Sequence, residues 1–247
     1  MLFNLTIIIM SQKIHWLVRL GGNKTEHYEN LLVALAMLVV TLTYEGLSWY
    51  FIPDFQFNWF EFIGTWSGLV TVWLARTQNI LSWPWGIVSA ATLGYFFMQI
   101  GLSGQQWLNW GYFMVMQVWA WPYWAFGGKD KTPLPVTRLG VRGWVLTLLA
   151  VGTGTGLVYI LISLIVPTSH YPILDAIVVA SSVVAQLLLG QKKLESWYLW
   201  LGPVNVLSVI LFVLAGAYVV LALYVAFLIH AFFAIRSWRR ELLFTRL

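Results

Sequence analysis

The sequence predicts an all-α integral membrane protein of about eight transmembrane helices, arranged as two parallel three-helix repeats joined by one helix, plus an extra N-terminal helix. Three observations carry that prediction. Of 247 residues, 60% are hydrophobic and 9% charged, against roughly 25% charged in an ordinary soluble domain; a water-facing surface cannot be built from this chain. In a bilayer none is needed, because helices satisfy their own backbone hydrogen bonds where no water reaches. The second observation is that every Lys and Arg falls in alternate connections, and the third is that the chain resembles itself at a displacement of 114 residues.

Residues 1–30 read as an N-terminal tail. The apolar run from Leu2 to Met10 is too short to span, with no basic residue before it and no small-residue cleavage site after it, so a cleaved signal peptide is not expected. At about 20 residues per crossing, residues 31–57 hold the extra helix, with its apolar run from Leu31 to Phe51. Residues 58–128 form the first repeat, with spans near Phe60 to Ala75, Ile80 to Ile100 and Trp107 to Phe126. A basic loop and connecting helix occupy residues 129–170, the span running from Trp144 to Val166. The second repeat takes residues 171–238, with spans near Ile173 to Leu189, Trp197 to Leu214 and Ala217 to Ile235, and residues 239–247 are a cytoplasmic tail. Most breaks carry Pro, Gly, Asn or charge: Pro53-Asp54, Arg76 to Asn79, Gly101 to Gly104, Gly127 to Arg142, Pro167 to Pro172 and Gly190 to Glu195; Ala215-Gly216 is the weakest.

The positive-inside rule tests this division. Lys13, Arg19 and Lys24 precede the first span; Arg76 follows the second; Lys129, Lys131, Arg138 and Arg142 follow the fourth. Lys192 and Lys193 follow the sixth, and Arg236, Arg239, Arg240 and Arg246 follow the eighth, so all 14 basic residues lie on one side. Both ends are therefore expected in the cytoplasm. The displacement of 114 residues aligns Glu61 with Asp175, Ser67 with Ser181, Ser82-Trp83 with Ser196-Trp197 and Trp124 with Trp238. Four spans separate the two triplets, so they run in the same direction, and carriers built on repeats place their substrate near the midplane between them.

The absence of cysteine removes disulfides, thiolate metal sites and a cysteine nucleophile. The net charge of +5 forms no basic stripe, so no nucleic-acid partner is expected. No phosphate-binding Gly-rich loop, metal-ligand spacing or nucleophile elbow appears, so neither an enzyme nor a cofactor is predicted.

Polar side chains inside a membrane are default functional candidates, with interhelical glue as the alternative. Ser89, Gln99, Gln106, Asn109, Gln117, Gln186, Asn205, Ser208 and His230 qualify. In span seven, Trp197 and Trp200 share a face, as do Asn205 and Ser208, and Pro203 loosens the helix between the pairs. Its counterpart reads Ser82-Trp83-Pro84-Trp85-Gly86. Indole faces attract flat or cationic rings, and side-chain amides both donate and accept, so the implied ligand is flat, polar, and neutral or cationic. Trp107, Trp110, Trp119, Trp121, Trp124 and Trp238 fit an interfacial belt near span ends. Glu61 and Asp175 each open a helix, where a carboxylate suits the dipole and structural capping is expected. Glu45 sits at a helix C-terminus with no such account, and His230, with no acid in its span, reads as a buried hydrogen-bonded histidine. A non-transporting structural or sensory membrane subunit is the alternative from another class.

The runs Glu61 to Gly68 (EFIGTWSG), Ser82 to Gly86 (SWPWG), Trp119 to Trp124, Asp175, and Glu195 to Trp200 (ESWYLW) with Asn205 resemble the PnuC family of nicotinamide riboside transporters. The resemblance covers about Phe60 to Trp238, and Trp197-x-x-Trp200-x-x-x-x-Asn205 is its most specific part. It implies facilitated diffusion of nicotinamide riboside across the bacterial inner membrane, trapping by cytosolic phosphorylation, a homotrimer, and kinship with the SWEET sugar transporters. Another nucleoside or vitamin-like molecule is the alternative substrate. The expected substrate-binding residues are Trp83, Trp85, Asn109, Gln117, Gln186, Trp197, Trp200, Asn205 and Tyr224, with no metal or cofactor.

Overall fold

A computed structural model describes residues 58–99, 106–165, 171–214 and 218–244, with scattered positions between 28 and 50. The expected N-terminal tail except Tyr28, Glu45, and the breaks at Pro53-Asp54, Gly101 to Gly104 and Ala215-Gly216 lie outside the described residues, as do residues 167–170 of the Pro167 to Pro172 break. Of the extra helix, the described positions 46–50 are helical.

Helix α1 (Trp59–Arg76) starts on Asn58, whose side chain accepts from the amides of Phe60 and Glu61, which is how an N-cap satisfies orphan donors. It packs along α2 (Ser82–Gln99). Pro84 lies in the first turn of α2, where a missing N–H costs no helical bond. Helix α3 opens as a π-helical stretch, Leu108–Phe113, and continues as Met114–Phe126. Connecting helix α4 (Val141–Ile165) leads to α5 (Pro172–Gly190). Helix α6 runs as Glu195–Leu199, a second π-helical stretch Trp200–Val206 around Pro203, and Leu207–Leu214. Helix α7 (Tyr218–Phe244) carries straight through Arg239 and Arg240, into the stretch read as a tail.

The internal repeat extends to individual hydrogen bonds. After α1 the amides of Gln78, Asn79, Ser82 and Trp83 donate to Ala75, Leu74, Asn79 and Ile80; after α5 those of Lys192, Lys193, Ser196 and Trp197 donate to Leu189, Leu188, Lys193 and Leu194. Each bond is its counterpart displaced by 114 residues. Gln78 and Lys192 both take left-handed backbone, at φ 57° and 54°, the conformation that ends a helix by turning the chain back. Across the repeats, α3 packs on α5 and α7 on α1, so the third helix of each triplet seals the first helix of the other.

Four indoles lock that arrangement. Trp124 Nε1 donates to the carbonyls of Leu189 and Gly190 at 3.3 and 3.0 Å. Trp238 Nε1 does the same to Ala75 and Arg76, at 3.3 and 3.1 Å. Each thus caps the last turn of the opposite repeat's first helix, where carbonyls lack intrahelical partners. Trp83 meets Trp124 edge-on at 4.9 Å and Trp197 meets Trp238 edge-on at 5.6 Å, while Trp124 and Trp238 are 6.0 Å apart. The interfacial-belt expectation therefore fails for Trp124 and Trp238, which are 2% and 0% exposed, whereas Trp107, Trp119 and Trp121 are exposed. Trp110 is half-buried, its ring lying over Gly94 and its Nε1 donating to Ala91 at 3.2 Å.

The basic loops gather at this end. Lys192 Nζ donates to the Leu134 carbonyl and lies 4.6 Å from the Trp124 ring centre; Lys193 Nζ donates to Thr137. The fully buried Glu195 accepts from the Leu139 amide at 2.9 Å and pairs with Arg138 at 3.4 Å. Among the described helices, Val141–Leu164 and Pro172–Gly190 are long and apolar enough to cross a membrane on their own.

Candidate functional site

A cavity of about 680 Å³ opens between the two triplets, walled by α1, α2 and α3 on one side and α5, α6 and α7 on the other. Its size suits a small organic ligand. Eight of the nine expected site residues line it: Trp83, Asn109, Gln117, Gln186, Trp197, Trp200, Asn205 and Tyr224. Trp85 is not on its wall and is 44% exposed. Helical geometry separates the two indoles: two residues along a helix is more than half a turn, so Trp83 and Trp85 face different ways.

The irregular stretches of α3 and α6 sit at this cavity. Each π-helical stretch contains a buried asparagine on the cavity wall, Asn109 in Leu108–Phe113 and Asn205 in Trp200–Val206. A π turn holds an extra residue and leaves backbone groups off the regular ladder, which is why such turns concentrate at ligand sites. Tyr112, also in the first stretch, donates to the Val183 carbonyl at 2.6 Å and fixes α3 against α5. Gly86 makes room for Gln117: a Cβ there would collide with the carboxamide. Ser89, expected as a polar candidate, donates to the Gly64 carbonyl at 2.7 Å and so ties α2 to α1 while lining the cavity.

Several buried polar atoms on this wall have no hydrogen-bond partner within the protein: Ser82 Oγ, Trp83 Nε1, Gln117 Oε1, Trp197 Nε1, Trp200 Nε1 and His230 Nδ1. Native proteins leave few such groups, and these belong to residues of the cavity wall. The arrangement can hold a polar molecule that both donates and accepts, against aromatic walls that include Trp66 and Phe227.

Glu61 and Asp175 line the cavity as well. Asn58 caps α1, and Glu61 stands in its first turn, where a carboxylate suits the dipole. Among the described residues, no Lys or Arg lines the cavity, and Glu61 and Asp175 are its acidic groups. Sequence reasoning also passed over Trp66 and His230 as site residues, although Trp66 stands in the Glu61 to Gly68 run that carries the family resemblance.

This geometry has known counterparts. Residues 58–240 match the family described as nicotinamide mononucleotide transporter. The chain belongs to that family. Its match spans both repeats and every wall of the cavity, so this member of the nicotinamide mononucleotide transporter family is a multi-pass membrane transporter and not an enzyme. It is similar to the nicotinamide riboside transporter PnuC of Escherichia coli (strain K12), 24% identical over 208 residues, covering 74% of this chain and 86% of the relative. It is similar also to the transporter of the same name from Neisseria mucosa, 25% identical over 241 residues, covering 91% of this chain and 85% of the relative. The crystal structure of the vitamin B3 transporter PnuC superposes with a TM-score of 0.65 at 24% identity, covering 87% of this chain and 92% of that one. The fold is the fold of that structure.

Proposed function

We propose that this chain is a passive uniporter that carries nicotinamide riboside across the bacterial inner membrane by facilitated diffusion. The observation that carries the reading is the cavity's combination of indoles, amides and two carboxylates, with no Lys or Arg among the described lining residues. Nicotinamide riboside is a cation with a flat pyridinium ring, a carboxamide and ribose hydroxyls. Trp197 and Trp200 offer ring surface to the pyridinium, Asn109, Gln117, Gln186 and Asn205 offer paired donors and acceptors, and Tyr224 lies beside Ser208 and Asp175. Glu61 and Asp175 favour the positive charge.

The same charges argue against the mononucleotide named in the family's description. A phosphate brings up to two negative charges into a cavity that already holds two carboxylates, and burying it without a cationic partner is costly. They also favour trapping: phosphorylation in the cytosol makes a product this cavity rejects, and a passive carrier accumulates substrate only if the product cannot return. The basic loops that gather around Trp124 and Glu195 support a cytoplasmic location for that end, and with it cytoplasmic termini. We carry a homotrimer in the proposal, for which the outward apolar face of α4 is available: 6% of its most apolar window is buried within the chain. Native mass spectrometry in detergent reads the copy number directly.

Competition binding to the purified chain tests the substrate. Nicotinamide riboside should displace itself, the mononucleotide should fail at the same concentration, and Asn205→Ala or Trp200→Ala should abolish binding while the protein still elutes as a folded species. Equal displacement by the mononucleotide would refute the proposal. Retained binding in both variants would leave a structural subunit as the better reading of these residues.

A further inference from the structure

The two turns at the basic-loop end of the cavity are built alike and held differently. Ala75, Ser82 and Trp83 flank the α1–α2 turn, Leu189 and Trp197 flank the α5–α6 turn, and all five line the cavity. The segment from Leu134 to Leu139, which leads from α3 to α4, is bonded along the second turn. The Thr137 amide donates to the Lys192 carbonyl at 3.1 Å and the Leu194 amide to the Thr137 carbonyl at 3.0 Å, forming a parallel bridge between Thr137 and Lys193. Lys192 Nζ and Lys193 Nζ donate to the Leu134 carbonyl and Thr137 Oγ1, each at 2.9 Å, and Glu195 holds the Leu139 amide and Arg138. The Leu134 amide ties the same segment to the Trp124 carbonyl in the last turn of α3.

The 114-residue counterparts of Lys192, Lys193, Leu194 and Glu195 are Gln78, Asn79, Ile80 and Leu81. Among the described residues, the hydrogen bonds of residues 78–81 run only within residues 74–85. Leu81 is 52% exposed where Glu195 is 0%. A carrier must open this end to pass its substrate, and a segment moves most readily where the fewest buried bonds must break. Displacing the second turn from residues 134–139 would break all of their ties; displacing the first breaks none of its own. Trp238, which caps α1, can travel with it, and the Arg239 bonds to Tyr198 that join α7 to α6 are exposed, where water replaces them. We propose that residues 134–139 are a strap that binds α4, α5 and the α5–α6 turn into one frame, and that the cavity opens at this end by a swing of the α1–α2 turn away from that frame. The packing of α4 on α5 extends the frame along the membrane. This deepens the carrier reading and rests on it.

The chain has no cysteine, so spin labels on introduced cysteines report chosen sites alone. Pulsed electron-electron double resonance on the full chain in liposomes compares two pairs that share a reference on α4: Leu81→Cys with Leu164→Cys, and Leu187→Cys with Leu164→Cys, all at exposed positions. Nicotinamide riboside should add a second distance to the first pair and leave the second pair unchanged. Equal shifts in both pairs, or a shift confined to the Leu187 pair, overturn the inference, as does no shift in either while the labelled proteins transport. Hydrogen exchange on the unlabelled, ligand-free chain tests the strap itself, with the duplicated turn as internal control. Residues 192–197 should exchange about tenfold more slowly than residues 78–83, whose backbone bonds are the same, and Glu195→Ala, which strips the strap of two ties, should narrow the difference. Equal rates in the wild type, or an undiminished difference in the folded variant, overturn the strap. If the wild type takes up no riboside, the substrate reading fails and the exchange comparison still decides the strap.

Discussion

Replacing Trp238 by Phe probes the joint between the repeats. Trp238 is fully buried, and its Nε1 donates to the Ala75 and Arg76 carbonyls at 3.3 and 3.1 Å. Phe keeps an aromatic ring but removes the donor, so the Arg76 carbonyl loses its indole while the Ala75 carbonyl keeps the Gln78 amide. Losing such a bond costs roughly 1–3 kcal/mol. The edge-on contact with Trp197 at 5.6 Å is disturbed, worth about 0.5–1.5 kcal/mol for an aromatic pair. Together these predict a loss of about 2–4 kcal/mol. Trp124→Phe should cost about the same, because its bonds to Leu189 and Gly190 are the 114-residue counterparts. Trp107, 65% exposed, supplies the control: Trp107→Phe should change stability by under about 0.5 kcal/mol. Reversible denaturant unfolding in mixed micelles, followed by fluorescence, measures all three. Near-wild-type stability in both Trp238→Phe and Trp124→Phe would refute the capping argument.

Gly86→Ala should weaken riboside binding about tenfold, with a smaller effect on thermal stability, because the added Cβ displaces the Gln117 carboxamide from its place on the cavity wall; unaltered affinity by calorimetry would show that Gln117 is not a ligand contact. Combining Glu61→Gln with Asp175→Asn should lower affinity for the cationic riboside and narrow its preference over the mononucleotide, measured by competition; an unchanged preference would remove electrostatics from the selectivity. Glu195→Ala should destabilise the fold by roughly 1–3 kcal/mol, since it strips the Leu139 amide and Arg138 of a buried partner, and denaturant unfolding reads the loss.

The helical repeat was legible because its signals are rare residues in fixed places. Ser82-Trp83 and Ser196-Trp197 mark the same turn twice, and Trp124 and Trp238 mark the same joint. Their role was not legible: a tryptophan near a span end serves equally at the lipid interface or inside a helix joint, and only the neighbouring helix decides which. Trp85 was misread for a related reason, since proximity to Trp83 in sequence says little about direction around a helix. The two π-helical stretches depend on tertiary contacts, such as the Tyr112 bond to Val183, that no local pattern announces. Asn109 and Asn205 could be picked as polar residues in apolar spans, but not as members of matching irregular turns. His230 reads in the sequence as a buried hydrogen-bonded histidine and is one, its Nε2 bonded to the Val72 carbonyl.

Uptake of labelled nicotinamide riboside into liposomes holding the purified chain tests the central claim most directly. The account predicts entry well above that of protein-free liposomes, equilibration at equal internal and external concentration without an ion gradient, and further accumulation once a riboside-phosphorylating activity is enclosed. Uptake no faster than in protein-free liposomes would contradict the substrate, and uptake that requires a proton or sodium gradient would contradict the passive mechanism.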